Sequence, residues 1–215
     1  MSAEERTTAH FDKEASTWND SPVRRQLTIA ISDGIKRVCR LLPDMRVLEY
    51  GCGTAALGFL LAGSVSEVVA ADASSGMIDQ VRRKLTDNPK ARLTPLLLDL
   101  TQPADLSQRF DLIVTAMTMH HIADTAPTLS RLVGMLVENG WLAIADLCLE
   151  DGTFHAPRLV PHNGFEPDGL VTVVRNLGMV DCQWQIVHRI EKNGRPFDVF
   201  LLTARRIPME HIDVR

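Results

Sequence analysis

The stretch Arg46–Leu61 constrains the fold more than any other part of the chain. An apolar run through Val47 and Leu48 meets Glu49 and Tyr50, then Gly51, Cys52 and Gly53; Ala55, Ala56 and Leu57 open a helix that runs through Leu61. This reads as strand, glycine turn, helix. Glycines at such a turn accept positive φ and let bare backbone approach a ligand, and the unpaired N–H groups of the following helix aim at the same point. The next apolar run, Glu67–Ala71, ends at Asp72, about 20 residues after Gly53. Nucleotide-binding βαβ units place their ribose-binding carboxylate at that offset. The pattern predicts a nucleoside cofactor in this crevice. A lone glycine turn also arises for packing, so the decision falls to the elements on either side of it.

Those elements form a full α/β series. Ser21 and Pro22 start a helix carried by Leu27, Ile31, Ile35, Val38 and Leu42 until Pro43 stops it. Strands are expected at Arg46–Tyr50, Glu67–Ala71, Arg92–Leu98, Phe110–Ala116 and Trp141–Leu147. Helices are expected from about Gly76 to Leu85, capped by Ser74 or Ser75, near Pro127–Val137, and around Leu170–Leu177 up to Gly178. Pro95 cannot donate to a ladder and marks the third strand as an edge. Strands alternating with helices and apolar on both faces indicate a doubly wound parallel sheet. The last two strand-like runs, 181–190 and 196–204, break that rhythm, because only Lys192-Asn193-Gly194 separates them. So short an Asn-Gly link makes an antiparallel hairpin. A nicotinamide dehydrogenase would instead continue with parallel crossovers.

Composition narrows the partners. The chain has 215 residues, and its net charge of −4 leaves no basic footprint for nucleic acid. Cys39, Cys52, Cys148 and Cys182 form neither a CxxC pair nor a metal-finger spacing, and read as reduced thiols of a cytoplasmic protein. Cys52 reads as a small filler of the turn rather than a nucleophile. The polar start of the chain lacks the apolar core of a signal peptide, and no apolar run approaches the ~20 residues of a membrane span.

With these elements in place, the chain resembles the class I S-adenosylmethionine-dependent methyltransferases over nearly its whole length. Glu49-Tyr50-Gly51-Cys52-Gly53-Thr54-Ala55 resembles the family's first motif, an acid followed by Gly-x-Gly-x-Gly, with Ala55 in place of the third glycine. The resemblance implies an α/β, Rossmann-like seven-stranded sheet, mostly parallel, with a C-terminal antiparallel hairpin. It implies S-adenosyl-L-methionine as cofactor, with Asp72 on the ribose hydroxyls, Ala73 and Met77 flanking the adenine, and Leu98-Asp99-Leu100 meeting its amino group. Met77 is equally a core residue by its helical spacing, and Asp99 equally a turn cap. Residues 110–122 and 140–155 resemble the family's fourth and fifth motifs. The opening HFDKEASTWND is similar to the small-molecule branch related to quinone-biosynthesis enzymes.

One domain is expected over 1–215: a helical lid over 1–42, a cofactor-binding core over 43–150, and a loop, helix and hairpin over 151–215. In the family-like strand order, Gly51–Thr54 and Thr115–His121 face each other across the crevice. Phe11 and Trp18 sit among polar neighbours, and are expected either to cover the cofactor, with Trp18 near the methyl, or to pack as an ordinary N-terminal helix. His120 and His121 end the fourth-strand motif, where a neutral imidazole can take a proton or cap the loop; His120 is the favoured base. His155 and His162 lie in an aperiodic loop, Leu149–Gly164, that can close over a substrate, while His10, His188 and His211 read as surface residues. His155, His162 and Asp146 lack the spacing of a ligand set, and no metal is expected. The acceptor is expected to be a small organic molecule, because no Asn-Pro-Pro-aromatic or Pro-Cys motif follows the fourth strand. A cofactor-binding protein without catalysis and, less favoured, a nicotinamide oxidoreductase are the alternatives; the oligomeric state is not legible.

Overall fold

The computed structural model describes residues 3–102, 104 and 107–207; His211 lies outside them. Seven strands form one sheet: β1 (Arg46–Tyr50), β2 (Glu67–Asp72), β3 (Leu93–Leu97), β4 (Phe110–Ala116), β5 (Leu136–Leu147), β6 (Met179–Lys192) and β7 (Arg195–Arg206). Their order is β3-β2-β1-β4-β5-β7-β6. The first five pair in parallel, and β7 pairs antiparallel with both β5 and β6. The switch in order lies between β1 and β4, and β3, with Pro95, is an edge. The β6–β7 hairpin turns at Asn193 (φ 53°) and Gly194 (φ 72°), the paired positive φ of a type I′ turn.

The helices cover both faces. Alternate residues of the central strands divide between two cores, Val47, Val68 and Val114 on one side, Leu48, Val69 and Ile113 on the other. The first core takes the buried faces of α2 (Pro22–Val38), α3 (Ala56–Leu61) and α4 (Ser75–Asp87) through Ile31, Ile35, Leu57 and Ile78. The second takes α5 (Thr125–Gly134) and α6 (Pro167–Asn176) through Leu129, Leu132, Leu170 and Val174. Strands buried on both faces in this way need to be apolar throughout. No described helix is long and apolar enough to cross a membrane.

Two boundaries differ from the sequence expectation. Helix α2 stops at Val38, where Cys39 turns extended (φ −92°, ψ 94°), and Pro43 disfavours helical backbone at Leu42 just beyond. Helix α5 ends at Gly134, and β5 starts at Leu136 rather than Trp141, because Leu136 already pairs with Phe110. The pairing then slips, with Leu112 opposite Trp141 and Asn139 at φ 63°. Apolar Leu136 and Val137 fit helix and strand periodicity equally, so only pairing with β4 decides.

Ahead of the sheet, α1 (Ala3–Glu14) and a 3₁₀ turn (Ala15–Asp20) lie against α4. The tie is Asp12, whose Oδ1 accepts from Ser74 Oγ at 2.6 Å and from Gly76 N at 2.9 Å. A carboxylate on the N–H groups at a helix start is favourably placed for the helix dipole.

Candidate functional site

A cavity of about 660 Å³ opens beyond the C-terminal ends of β1 and β4, where ligands bind in doubly wound sheets. Its inner floor is the turn after β1. Gly51 and Gly53 hold φ of 70° and 54°, and the reason differs between them. A Cβ on Gly51 would stand 2.2 Å from Thr118 Cγ2, whereas one on Gly53 meets only the Trp18 indole, at 3.4 Å. The first glycine is required by packing across the sheet switch, the second faces the cavity. Ala55, in place of a third glycine, takes φ 56° as the N-cap of α3.

Beneath the turn, Glu49 is 3 % exposed, and its Oε2 accepts from Gly58 N at 2.9 Å. Burial pushes its carboxyl up to about 8. Asp72 braces the turn as well as lining the cavity: Oδ2 accepts from Gly53 N at 2.7 Å and Oδ1 from Ser74 N at 2.9 Å. Each carboxylate oxygen has a second lone pair, so Asp72 can still receive two hydroxyl donors. Burial raises its pKa, against these backbone N–H bonds, which lower it. Asp99 lines the same wall and folds its own turn through Thr101 N at 2.8 Å. Trp18, Cys52, Thr54, Ala73 and Met77 also line the cavity. Burial drives the Cys52 thiol well above its usual range, which leaves it inert. Leu100 and Thr115 do not reach the cavity: Leu100 is fully buried and donates its N–H to the Tyr50 hydroxyl, and Thr115 is buried with its hydroxyl unpartnered among the described residues.

The outer end is built of aromatic and imidazole rings. From the N-terminal segment, Phe11 packs edge-on against Trp18 (5.4 Å between centroids) and against His121 (5.0 Å). His10 lines the cavity too, contrary to the surface position expected for it, because α1 lies across the crevice. His120 is 1 % exposed, and its Nδ1 stands 2.6 Å from Asp146 Oδ1. The same carboxylate accepts from His120 N at 3.3 Å and Leu147 N at 2.8 Å. It acts as an acceptor throughout, so Nδ1 carries a hydrogen toward it, and in the neutral ring Nε2 holds the lone pair. That Nε2 has no partner among the described residues. Sequence reasoning missed Asp146 as the partner of His120. The signal was an acid at the end of β5, next to β4 in the sheet.

The loop after β5 closes the remaining wall with Phe154, His155 and Arg158. His162 does not join them; its Nε2 donates to the carbonyls of Ile122 (3.0 Å) and Ala123 (3.2 Å), latching the loop to the end of β4. His120, His121 and His155 each offer a ring nitrogen within 4.8 Å of the others, a different set from His155, His162 and Asp146. Burial first, then His120 and Arg158, hold His121 far below its ordinary value, and burial with His120, Arg158 and Lys192 pulls His155 down to about 3. Neutral imidazoles suit a metal, but the field of Arg158 and Lys192 opposes a cation at this point.

Residues 48–142 match the family model of the methyltransferase domain. An uncharacterized methyltransferase of Schizosaccharomyces pombe is 30% identical over 156 residues, covering 65% of this chain and 55% of that protein. A malonyl-[acyl-carrier protein] O-methyltransferase of Anoxybacillus flavithermus is 30% identical over 148 residues, covering 67% and 53%. The chain thus spans about half the length of these curated relatives. Magnesium protoporphyrin IX methyltransferase of Synechocystis, solved with bound S-adenosylmethionine, shares the fold at a TM-score of 0.73 and 14% identity, over 96% of this chain and 98% of that one. With the glycine turn after β1, the acids at the end of β2 and just beyond β3 and the reversed last strand all on one sheet, the chain is similar to the methyltransferase-domain family, whose model it matches over residues 48–142.

Proposed function

We propose that this protein transfers a methyl group from S-adenosylmethionine to a small organic acceptor. One observation carries the reading: a single cavity joins the Gly51–Gly53 turn and the Asp72 and Asp99 carboxylates to the unpartnered His120 Nε2. The relatives' names and the cofactor seen in the Synechocystis fold neighbour support it. The inner end fits the cofactor. Asp72 would take the ribose hydroxyls in charge-assisted bonds, about twice as strong as neutral ones, Gly53 leaves its backbone bare, and Met77, Asp99 and Ala73 would surround the base. When bound, the cofactor supplies an electrophilic methyl on a sulfonium.

The chain's own residues supply the rest. His120 takes the acceptor's proton at Nε2, and Asp146 steadies the imidazolium that forms, as a buried carboxylate does when it orients a general base. Positioned proton transfer of this kind contributes about 10²–10⁴-fold in rate. Phe11 and Trp18 cover the cavity and keep water from it, while holding the acceptor in line, for which orientation alone can supply ~7–11 kcal/mol. In this reading residues 1–42 are the lid, 43–150 the cofactor core and 151–215 the acceptor-side wall.

Calorimetry on the purified chain tests the reading. S-adenosylmethionine and S-adenosylhomocysteine should bind at micromolar level, and NAD and NADP far more weakly; tighter NAD binding sinks it. Asp72→Ala should weaken the cofactor by about 1–3 kcal/mol, the cost of leaving hydroxyls unpaired.

A further inference from the structure

At the outer end of the cavity stands an arginine without a partner among the described residues. Arg158, in the loop after β5, is half-buried at the wall, with its guanidinium 5.7 Å from the Phe11 ring centroid. Among the described residues its side chain makes no hydrogen bond and no ion pair. Three imidazoles face it, from α1 (His10), the end of β4 (His121) and its own loop (His155), and its charge depresses all three. Neutral rings cannot balance it. Glu14 on α1 is felt by both Arg158 and Arg24 but pairs with neither. Arg24 is engaged already, donating to Trp18 O at 2.9 Å and lying 3.9 Å over the Trp18 ring. Lys192, on the hairpin, adds another cation, with its Nζ committed to Phe154 O; its neighbour Glu191 is exposed at the rim. A charge taken partly out of water without a partner is costly. A bound anion removes that cost.

We propose that the methyl acceptor carries a carboxylate, and that Arg158 holds it as the handle that places the acceptor's reacting atom at His120. The proposal rests on the methyl-transfer reading for the word acceptor, and on the wall alone for the anion. A planar guanidinium matches a carboxylate with two parallel N–H donors, and one cation without a partner matches one anion. A carboxylate tied down in that way is a poor nucleophile, so the methyl goes to another atom of the acceptor, the one whose proton His120 takes. Phe11, Phe154 and the imidazoles give the rest of that molecule an apolar and aromatic bed.

The test uses the full chain loaded with S-adenosylhomocysteine and titrated with matched probes: benzoate against methyl benzoate, 2-naphthoate against methyl 2-naphthoate, and 2-naphthyl phosphate. At least one acid should bind tenfold or more tightly than its ester. Arg158→Gln should erase that preference, weakening the acid at least tenfold and the ester less than twofold, with melting temperature and S-adenosylhomocysteine affinity unchanged; Arg158→Lys should keep part of it. The proposal fails if no acid outdoes its ester, or if Arg158→Gln weakens both equally. Tighter binding of the phosphate overturns the carboxylate assignment. Absence of S-adenosylhomocysteine binding overturns the methyl-transfer reading instead, and the acid-against-ester comparison on the bare protein still judges Arg158.

Discussion

Glu49 shows how one residue of the cofactor turn shapes the stability of the whole. In the folded chain its buried carboxyl keeps a proton up to about pH 8, while the ordinary value is 4.5. Between those values the native state binds more protons than the unfolded one, so stability falls as pH rises through that window. Glu49→Gln keeps an acceptor for Gly58 N and has no proton to lose. Its stability relative to wild type should therefore improve from pH 5 to pH 8, by on the order of 4 kcal/mol. Urea denaturation of the ligand-free protein at both values measures it, and a constant difference would show that Glu49 ionises freely. At the other end of the cavity, Asp146→Asn should reduce turnover by ~100-fold or more while leaving cofactor affinity within about twofold, because only the His120 tautomer is disturbed. The places of Asp72 and the glycines on the cavity wall were legible from spacing, that of Asp99 from the family resemblance. Asp146 was not, because its meeting with His120 depends on which strands are neighbours, a fact that no local stretch contains.

Among the elements, strands and hairpin came from local pattern, whereas helix ends and the N-terminal segment needed tertiary contacts. The sequence left open whether Phe11 and Trp18 cover the cofactor or pack as an ordinary N-terminal helix; both line the cavity, and Asp12 ties α1 to the start of α4. His10 escaped notice for the same reason: nothing in its own neighbourhood records that α1 crosses the crevice. If α1 is a lid held by that tie, Asp12→Ala should leave a folded protein but weaken S-adenosylhomocysteine by about tenfold, the scale of one or two charge-assisted bonds; unchanged affinity would make α1 a packing helix. The loop after β5 was legible as an aperiodic stretch over 149–164, but not which of its residues, Phe154, His155 and Arg158, reach the cavity. Its hinge is Gly164, at φ 82° and with a Cβ position 2.3 Å from Cys148 O. Gly164→Ala should cost ~2–4 kcal/mol of stability, from left-handed strain and overpacking together, as thermal unfolding will show.

At the scale of the molecule, the sheet is two halves that meet between β1 and β4, and the Gly51–Gly53 turn and the His120–His121 corner of the cavity come from different halves. The edge proline and the hairpin link were legible in the residues, and the strand order came from the family resemblance; how the turn after β1 packs across the switch was not legible. Beyond the β1–β4 ladder, Gly51 packs against Thr118 across this switch. Thr118 Oγ1 donates to Gly51 O at 3.1 Å and Ala116 O at 3.0 Å, and any Cβ on Gly51 would meet it at 2.2–2.8 Å. Gly51→Ala should cost roughly 2–4 kcal/mol, part from φ of 70° and part from the collision. Only the second part depends on Thr118. Thr118→Ala in the same chain removes the nearest atoms, at 2.2 and 2.4 Å, and should recover about 1 kcal/mol or more of that loss. The coupling energy of the double-mutant cycle, which for residues in contact runs to ~0.5–3 kcal/mol, reads this contact directly. Strict additivity would mean that Thr118 does not restrict position 51, and that Gly51 is glycine for its φ and for the ligand's sake.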